Sequence, residues 1–506
     1  MMESEHDIEL RKRNAKKKIE SFVNDKYKIT LIGIMVFALI VRIYFFFATK
    51  DQAHWWDTLA YAGLAKNMIH HLWDANHFII TEAIIRPPLL PIIWAALMNL
   101  GVSEIGTILL IEILPSLASV YLMYLIGKEL YDEKIGLLSA FFFSIAWIHL
   151  FYSMRIMTDT PSLFLAMLSI YFFLKSYEDM KLREFSLSIL FLSLAILMRY
   201  SHGLIGFAYI IFLTITWKHK VLAKKNFWMG GIIGVIPLII FFVYNLINSG
   251  NIFPATGNYV QSAIDKPAFA YYVIGFMPHI FRNVILGLFI LGGIFAVFEL
   301  FIGANLINKV KKIRSHAFLI ILFLVSIIFF VFIIKAAEDR YLMMIFPTVF
   351  AFASLFLIKI YNFSKHYCKV FGVLLVILIL VWAAYGQWNY GKPIIDSRTE
   401  SFRPMKEALV WIGENTPEDS RILGQWADPY TIYYAHREVE EWPRDLDNLS
   451  GFEPNADYLI DNNVHQPDMR IRQFINDELL DRLTVLQVFY IDDAQQVPGA
   501  IIYKLD

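Results

Sequence analysis

The chain has 506 residues, of which 57% are hydrophobic and 16% aromatic, while only 18% carry charge. Such a composition excludes an ordinary water-soluble globular protein, and a formal net charge of zero excludes a nucleic-acid partner, which would require a basic surface. A single cysteine, Cys368, rules out an internal disulfide and any multi-cysteine metal site.

The chain opens on a polar, basic segment, residues 1–27, containing Arg11, Arg13, Lys16, Lys17, Lys18 and Lys26, with Lys28 just beyond. It is too long for a cleaved signal region and lacks a small-residue cleavage site, so we read it as a retained cytoplasmic tail. Apolar runs of about 18 to 22 residues then recur, each matching a hydrocarbon core of ~30 Å at 1.5 Å per helical residue. Span 1 covers roughly residues 28–48 and delivers an outer loop, residues 49–104. Within that loop "RPPLLPIIWAALMNLG", residues 86–101, has an apolar part of about 15 residues, below the ~17 to 25 that a perpendicular span needs. It reads as a juxtamembrane or re-entrant helix.

Spans 2 to 6 follow near 106–127, 135–153, 160–177, 185–200 and 203–217. Spans 7 to 11 lie near 227–247, 280–303, 317–335, 341–359 and 370–389, with a long outer loop from 248 to about 278. This count of about eleven puts the basic loops "WKHKVLAKKN" and "NKVKKIRSH" on the cytoplasmic side, as the positive-inside rule requires. Counting 86–101 as a full span would place both outside. From residue 390 to 506 the composition becomes that of a soluble domain, with a helical pattern in "FRPMKEALVWIGEN" and strands in "ADYLID", "LTVLQVFYID" and "GAIIYKL". The expected fold is therefore a polytopic α-helical membrane module, residues 28–389, followed by a small extracytoplasmic α/β domain.

Unusual polar residues gather on the outer side in this topology. Asp57 and Arg86 flank the first outer loop, Arg155 and Asp159 lie in "YSMRIMTDTPS", Arg199, Tyr200 and His202 in "MRYSHG", and Glu338, Asp339, Arg340 and Tyr341 in "EDRYLMMIFP". Charges at a membrane boundary cost several kcal/mol unless paired or hydrated, so this convergence marks a polar cavity. Arginines there point to a bound anion, because the planar guanidinium fork matches a phosphate. After Asp57, residues Tyr61, Leu64, Ala65, Met68, Ile69 and Leu72 form one apolar stripe at helical spacing, with Lys66, Asn67 and His70 opposite. That pattern describes an amphipathic helix lying in the interface plane.

Each of these residues also has a plainer reading. Asp57 and Asp159 fit helix caps, Arg155, Arg199 and Arg340 fit snorkelling anchors, and Trp55 and Trp56 fit an interfacial belt. Glu112 and Glu299 interrupt spans 2 and 8, either as functional groups or as hydrogen-bonding partners of neighbouring helices.

The series "DTLAYAGLAKN", "RPPLLP", "RIMTDTPSLFL", "AILMRYSHGL" and "DRYLMMIFP", in this order, resembles the GT-C glycosyltransferases of the protein O-mannosyltransferase and lipid A aminoarabinose transferase type. "WIGENTPEDSRILG" with "YYAHRE" resembles the soluble segment that many bacterial and archaeal members carry. The resemblance implies sugar transfer from a polyprenyl-phosphate carrier to an extracytoplasmic acceptor, with no metal or other cofactor. It implies that Asp57 is the catalytic base of an inverting displacement and Asp159 the second outer-loop acid. Arg86 then helps to hold the donor or its phosphate, and Arg199 and Arg340 line the donor site. Arg155, Tyr200, His202, Tyr341 and Tyr61 complete the expected substrate- and phosphate-binding set. Many relatives carry a second acid directly after the first aspartate, where this chain has Thr58. A lone carboxylate suffices as a general base, because a phosphate leaving group needs little protonation. The alternative is a transporter or flippase for a lipid-linked or anionic substrate, for which Pro115 in span 2 and Pro237 in span 7 would be the helix breaks. Either reading makes the protein a multi-pass protein of the plasma membrane, its amino terminus cytoplasmic and membrane lipids among its partners.

Overall fold

A computed structural model describes residues 25–70, 86–252, 269–334, 338–424, 430–443, 446, 449, 451–463, 468–492 and 494–506. Arg11, Arg13, Lys16, Lys17, Lys18 and Leu72 lie outside the described residues, as do the side chains of Asn67, Ile69 and His70. Every expected span falls on a helix. Among the described residues seven helices are long and apolar enough to cross a membrane: Lys26–Thr49, Glu104–Leu130, Lys225–Ile247, Ala270–Leu306, Lys311–Phe332, Asp339–Tyr367 and Lys369–Asp396. The other four expected spans correspond to Glu133–Ser144 with Trp147–Tyr152, Asp159–Ser176, Leu182–Met198 and Gly203–Thr216. "RPPLLPIIWAALMNLG" forms the helix Leu89–Asn99, whose 11 residues reach only about 16 Å.

Contacts divide the chain into two units. The first comprises Met1–Tyr44, Ile108–Met154 and Thr158–Lys392; the second comprises Phe45–Thr107, Arg155–Met157 and Pro393–Asp506. The expected outer loop is thus grouped with the carboxy-terminal domain rather than with the helical bundle.

In the helical unit, side chains sort by environment. Phe346–Tyr367 is central, with Val349, Phe350, Ala351 and Ala353 wholly buried. Lys369–Asp396 presents Val370, Leu374, Leu378, Val381 and Tyr385 outward at helical spacing, the face that lipid would cover. Small residues set the closest approaches. A Cβ on Gly292 would stand 2.1 Å from the Phe352 carbonyl oxygen, and one on Gly127 would stand 2.8 Å from the Gly136 Cα. The expected third span is broken at Ile145 and Ala146. Groups exposed by the break find partners: Arg42 donates to the Ser144 carbonyl at 3.5 Å, and Gln387 accepts from the Trp147 amide at 3.1 Å. Arg42 itself is fully buried and also donates to Ser116 at 2.7 Å and to the Ala38 carbonyl at 3.1 Å.

Glu299 resolves as a tie between helices. Its carboxylate meets His316 at 2.9 Å, Lys312 at 2.7 Å and Lys359 at 3.0 Å, and Tyr131 bonds the other ring nitrogen of His316 at 2.8 Å. Glu112 is fully buried in a π turn, Leu109–Ile113.

The second unit is built on a five-stranded sheet of order β2-β1-β3-β5-β4. Here β1 is Arg421–Gly424, β2 Glu438–Glu440, β3 Tyr458–Asn462, β4 Leu483–Tyr490 and β5 Pro498–Leu505. β1 runs parallel to β2 and β3, and β5 pairs antiparallel with β3 and β4. Alternation along the strands supplies two cores. Ile422, Ile460 and Ile502 pack on the helix Arg403–Asn415 through Met405, Leu409 and Ile412, whereas Leu423 and Leu459 face Ile471, Phe474 and Leu479. The outer-loop helix Trp56–His70 joins the first core through Leu59. Tyr61, Leu64 and Ala65 of its apolar stripe are buried, but so are Thr58, Leu59 and Ala62, so protein covers it on more than the stripe.

Replacing Gly292 with leucine should force the helices Met277–Gly303 and Phe346–Tyr367 apart and cost about 3 kcal/mol, the upper range for overpacking. Thermal unfolding of detergent-solubilised protein measures this. An unchanged midpoint would contradict the close approach.

Candidate active site

In the second unit the polar residues assemble around the start of the helix Trp56–His70. Asp57 occupies its first turn, where the amide dipoles favour a negative charge. Its side chain is 31% exposed, and its Oδ1 lies 3.0 Å from Arg86 Nη1. The Arg86 guanidinium stands over the ring of Tyr61 at 5.1 Å, one helical turn beyond Asp57. Arg86 therefore orients the Asp57 carboxylate, with Tyr61 as its platform. Thr58 is buried and donates to the Ile156 carbonyl at 2.9 Å, so the residue that replaces a second acid ties the helix to the segment Arg155–Met157.

Arg155 is buried, bonds Gln52 Oε1 at 2.5 Å and stacks 3.8 Å from the Trp55 ring. Arg398 approaches the same indole at 4.7 Å. Trp55 is thereby an aromatic plate for two arginines. The loop before Asp57 is clamped by the carboxy-terminal domain: His54 Nε2 lies 2.9 Å from Glu104 Oε1, Tyr433 donates to Glu104 Oε2 at 2.7 Å, and the His54 amide donates to the Tyr434 hydroxyl at 2.9 Å. Tyr430 is 1% exposed, packs in the core that holds Leu59, and stacks on Phe402 at 5.9 Å. Its hydroxyl has no hydrogen-bond partner among the described residues. An unmet buried hydroxyl costs about 1–3 kcal/mol.

The helical unit holds the second group. The Asp159 side chain is 1% exposed, and its carboxylate lies between Arg199 Nη1 at 2.5 Å and Arg340 Nη1 at 3.5 Å. Both arginine side chains keep 15% exposure. Arg199 also lies 4.9 Å over the ring of Tyr341, which stacks on Phe330 at 4.8 Å. Arg340 meets Glu338 at 3.1 Å, and Asp339 accepts from the Tyr152 hydroxyl at 3.0 Å. Among the described residues two guanidiniums here face three carboxylates, Asp159, Glu338 and Asp339. A guanidinium has five N–H donors, so an ion pair to Asp159 does not exhaust Arg199. Tyr200 lies against Phe241 at 6.4 Å, and His202 is buried with no hydrogen-bond partner for Nδ1 among the described residues. Just beyond, an apolar cavity of about 600 Å³ opens between the helices Leu182–Met198, Gly203–Thr216 and Lys225–Ser249, with Leu192, Gly203, Gly206, Phe207, Trp228 and Gly231 in its wall. Among the described residues no group of three His, Cys, Asp or Glu side chains could hold a metal ion.

Sequence reasoning missed Gln52, His54, Arg398, Tyr430 and the Glu104–Tyr433 contact. Their partners lie far along the chain, and Tyr430 sits in an unremarkable "DPYTIYYAHR".

Residues 85–244 match the model of the family described as dolichyl-phosphate-mannose-protein mannosyltransferase. No curated protein matches the chain. Among solved structures, ArnT from Cupriavidus metallidurans bound to undecaprenyl phosphate is similar at 12% identity and a TM-score of 0.65, over 92% of this chain and 97% of that one. The Archaeoglobus fulgidus oligosaccharyltransferase, tethered to an acceptor peptide, is similar at 12% identity and a TM-score of 0.61, over 87% of this chain and 69% of that one. The same archaeal enzyme, AglB, in complex with an inhibitory peptide and a dolichol-phosphate, gives 11% identity and a TM-score of 0.54, over 85% and 69%. The chain has the GT-C glycosyltransferase fold, and its residues 85–244 match the mannosyltransferase family within it.

Proposed function

We propose that the protein is a membrane glycosyltransferase that moves a sugar from a polyprenyl-phosphate donor to an acceptor hydroxyl outside the cytoplasm, with inversion at the sugar carbon. The observation that carries this reading is Asp57: a partly exposed carboxylate, oriented by Arg86, at the head of an outer-loop helix on a GT-C fold.

In this reaction Asp57 takes the proton from the acceptor hydroxyl as its oxygen bonds to the sugar carbon. The bond from that carbon to the carrier phosphate breaks on the opposite side, and the phosphate leaves with the electron pair. Arg199 and Arg340 stabilise the departing phosphate, with Asp159 holding both in place. Tyr341 supports Arg199 from its ring face. The apolar cavity beside Gly203, three residues beyond Tyr200, takes part of the carrier's isoprenoid tail. ArnT bound to undecaprenyl phosphate and AglB in complex with a dolichol-phosphate support a lipid phosphate as the donor's carrier. The tethered peptide of the archaeal enzyme supports an acceptor site, here for a protein, glycan or lipid. Fold likeness to transferases favours this reading over a flippase. The charge of the loops supports a plasma-membrane protein with a cytoplasmic amino terminus and the carboxy-terminal domain outside.

Asp57→Asn should lower sugar transfer by about 10²- to 10⁴-fold, the range for loss of a general base, without lowering the melting temperature. Release of undecaprenyl phosphate from undecaprenyl-phosphate mannose measures it, and full turnover by the variant would refute the role of Asp57. Arg86→Ala should lower kcat about tenfold or more while leaving the donor KM near that of the wild type, because its partner is Asp57. A raised donor KM at unchanged kcat would return Arg86 to the donor phosphate.

A further inference from the structure

The carboxy-terminal domain contributes one polar atom to the neighbourhood of Asp57 that the reaction above does not use. Tyr430 is buried to 1% exposure, yet its hydroxyl bonds to nothing among the described residues. The nearby tyrosines behave differently: Tyr433 donates to Glu104 and Tyr434 accepts from the His54 amide. Nearly all buried hydroxyls in folded proteins have a partner, so one with none among the described residues points to a ligand.

The position of Tyr430 limits which ligand that is. The ring stacks on Phe402 at 5.9 Å and belongs to the core that also holds Leu59, two positions past Asp57. The charged groups that act on the hydroxyl are Arg155 and Asp57. Burial pushes the phenol pKa up, Arg155 opposes this and Asp57 adds to it, so the group is a neutral O–H donor at physiological pH. Asp57 is the base that receives the acceptor's proton in the proposed reaction, which places Tyr430 with the acceptor rather than with the carrier phosphate.

We propose that Tyr430 is an acceptor-binding residue: its hydroxyl donates a hydrogen bond to an oxygen of the acceptor next to the hydroxyl that Asp57 deprotonates. The acceptor is thus a polyoxygenated molecule, with a second hydroxyl, carbonyl or ester oxygen beside the attacking one. Arg155, held between Gln52 and Trp55, flanks the same subsite with positive charge. This inference rests on the glycosyltransferase reading and gives the soluble domain a share in acceptor recognition.

The test uses Tyr430→Phe in the full-length protein, which keeps the ring and removes only the oxygen. The donor is undecaprenyl-phosphate mannose, and the acceptor probes are a threonine-containing peptide, methyl mannoside and phosphatidylglycerol. With whichever probe takes the sugar, the variant should show an acceptor KM about tenfold higher, an unchanged donor KM, and a melting temperature equal to or above that of the wild type. Tyr433→Phe is the control: losing its bond to Glu104 should lower the melting temperature and leave the acceptor KM alone. An unchanged acceptor KM in an active Tyr430→Phe enzyme overturns the role of Tyr430 while the transferase reading stands. A melting temperature lowered as far as in Tyr433→Phe also overturns it, by revealing an internal partner for the hydroxyl. If the wild type consumes no donor and glycosylates no probe, the transferase reading falls and the acceptor subsite with it.

Discussion

A charge removed from water must be met by an opposite charge or by hydrogen bonds, and this constraint organises the helical unit. Asp159 ties Arg199 and Arg340, Glu299 ties Lys312, His316 and Lys359, and Arg42 ties Ser116 and the carbonyl at the break in the third expected span. Leaving one member of a buried pair such as Asp159–Arg199 alone costs about 3–5 kcal/mol, more than most apolar contacts supply. Each tie therefore sets the register between helices that hydrophobic packing alone would let slide. Glycines at the crossings, Gly292 above all, let the backbones come close enough for the ties to form.

Asp57 is treated differently from Asp159. It is partly exposed and meets Arg86, whereas Asp159 is enclosed by Arg199 and Arg340. A carboxylate that is to exchange a proton with a substrate needs access, and one that holds other groups in place does not. The aromatic residues divide in the same way. Trp55 and Tyr61 steady the arginines around Asp57, and Tyr341 steadies Arg199. A flat ring face positions a guanidinium without consuming its N–H donors, which stay available for a phosphate or a sugar oxygen.

The carboxy-terminal domain packs with the helix that bears Asp57. Its Tyr433 and Tyr434 hold the residues just before Asp57, its core receives Leu59 just after, and Tyr430 lies within reach of the charge on Asp57. The helix that bears Asp57 is consequently a packed element of that domain's unit. Its sequence pattern, polar at Lys66 and apolar at Tyr61 and Leu64, looks amphipathic because Thr58, Ala60 and Ala62 are small and carry little hydrophobic signal.

Local signals determined much of this protein. Apolar run length placed the expected spans on helices, loop charge set an expected topology, and short strand-like runs marked β3, β4 and β5. β2 escaped notice because "EVE" has one apolar residue among charges and is held by its pairing with β1. Candidate residues were legible by type, since Asp57, Asp159, Arg199 and Arg340 are charges beside apolar runs. Their partnerships were not. Asp57 meets Arg86 across 29 positions and Asp159 meets Arg199 across 40, and which charge finds which depends on helix crossings and rotamers that no local window encodes. Tyr430 marks the limit most clearly: its residue type is common, and only the tertiary structure decides that its hydroxyl is buried within reach of the charge on Asp57, with no partner among the described residues.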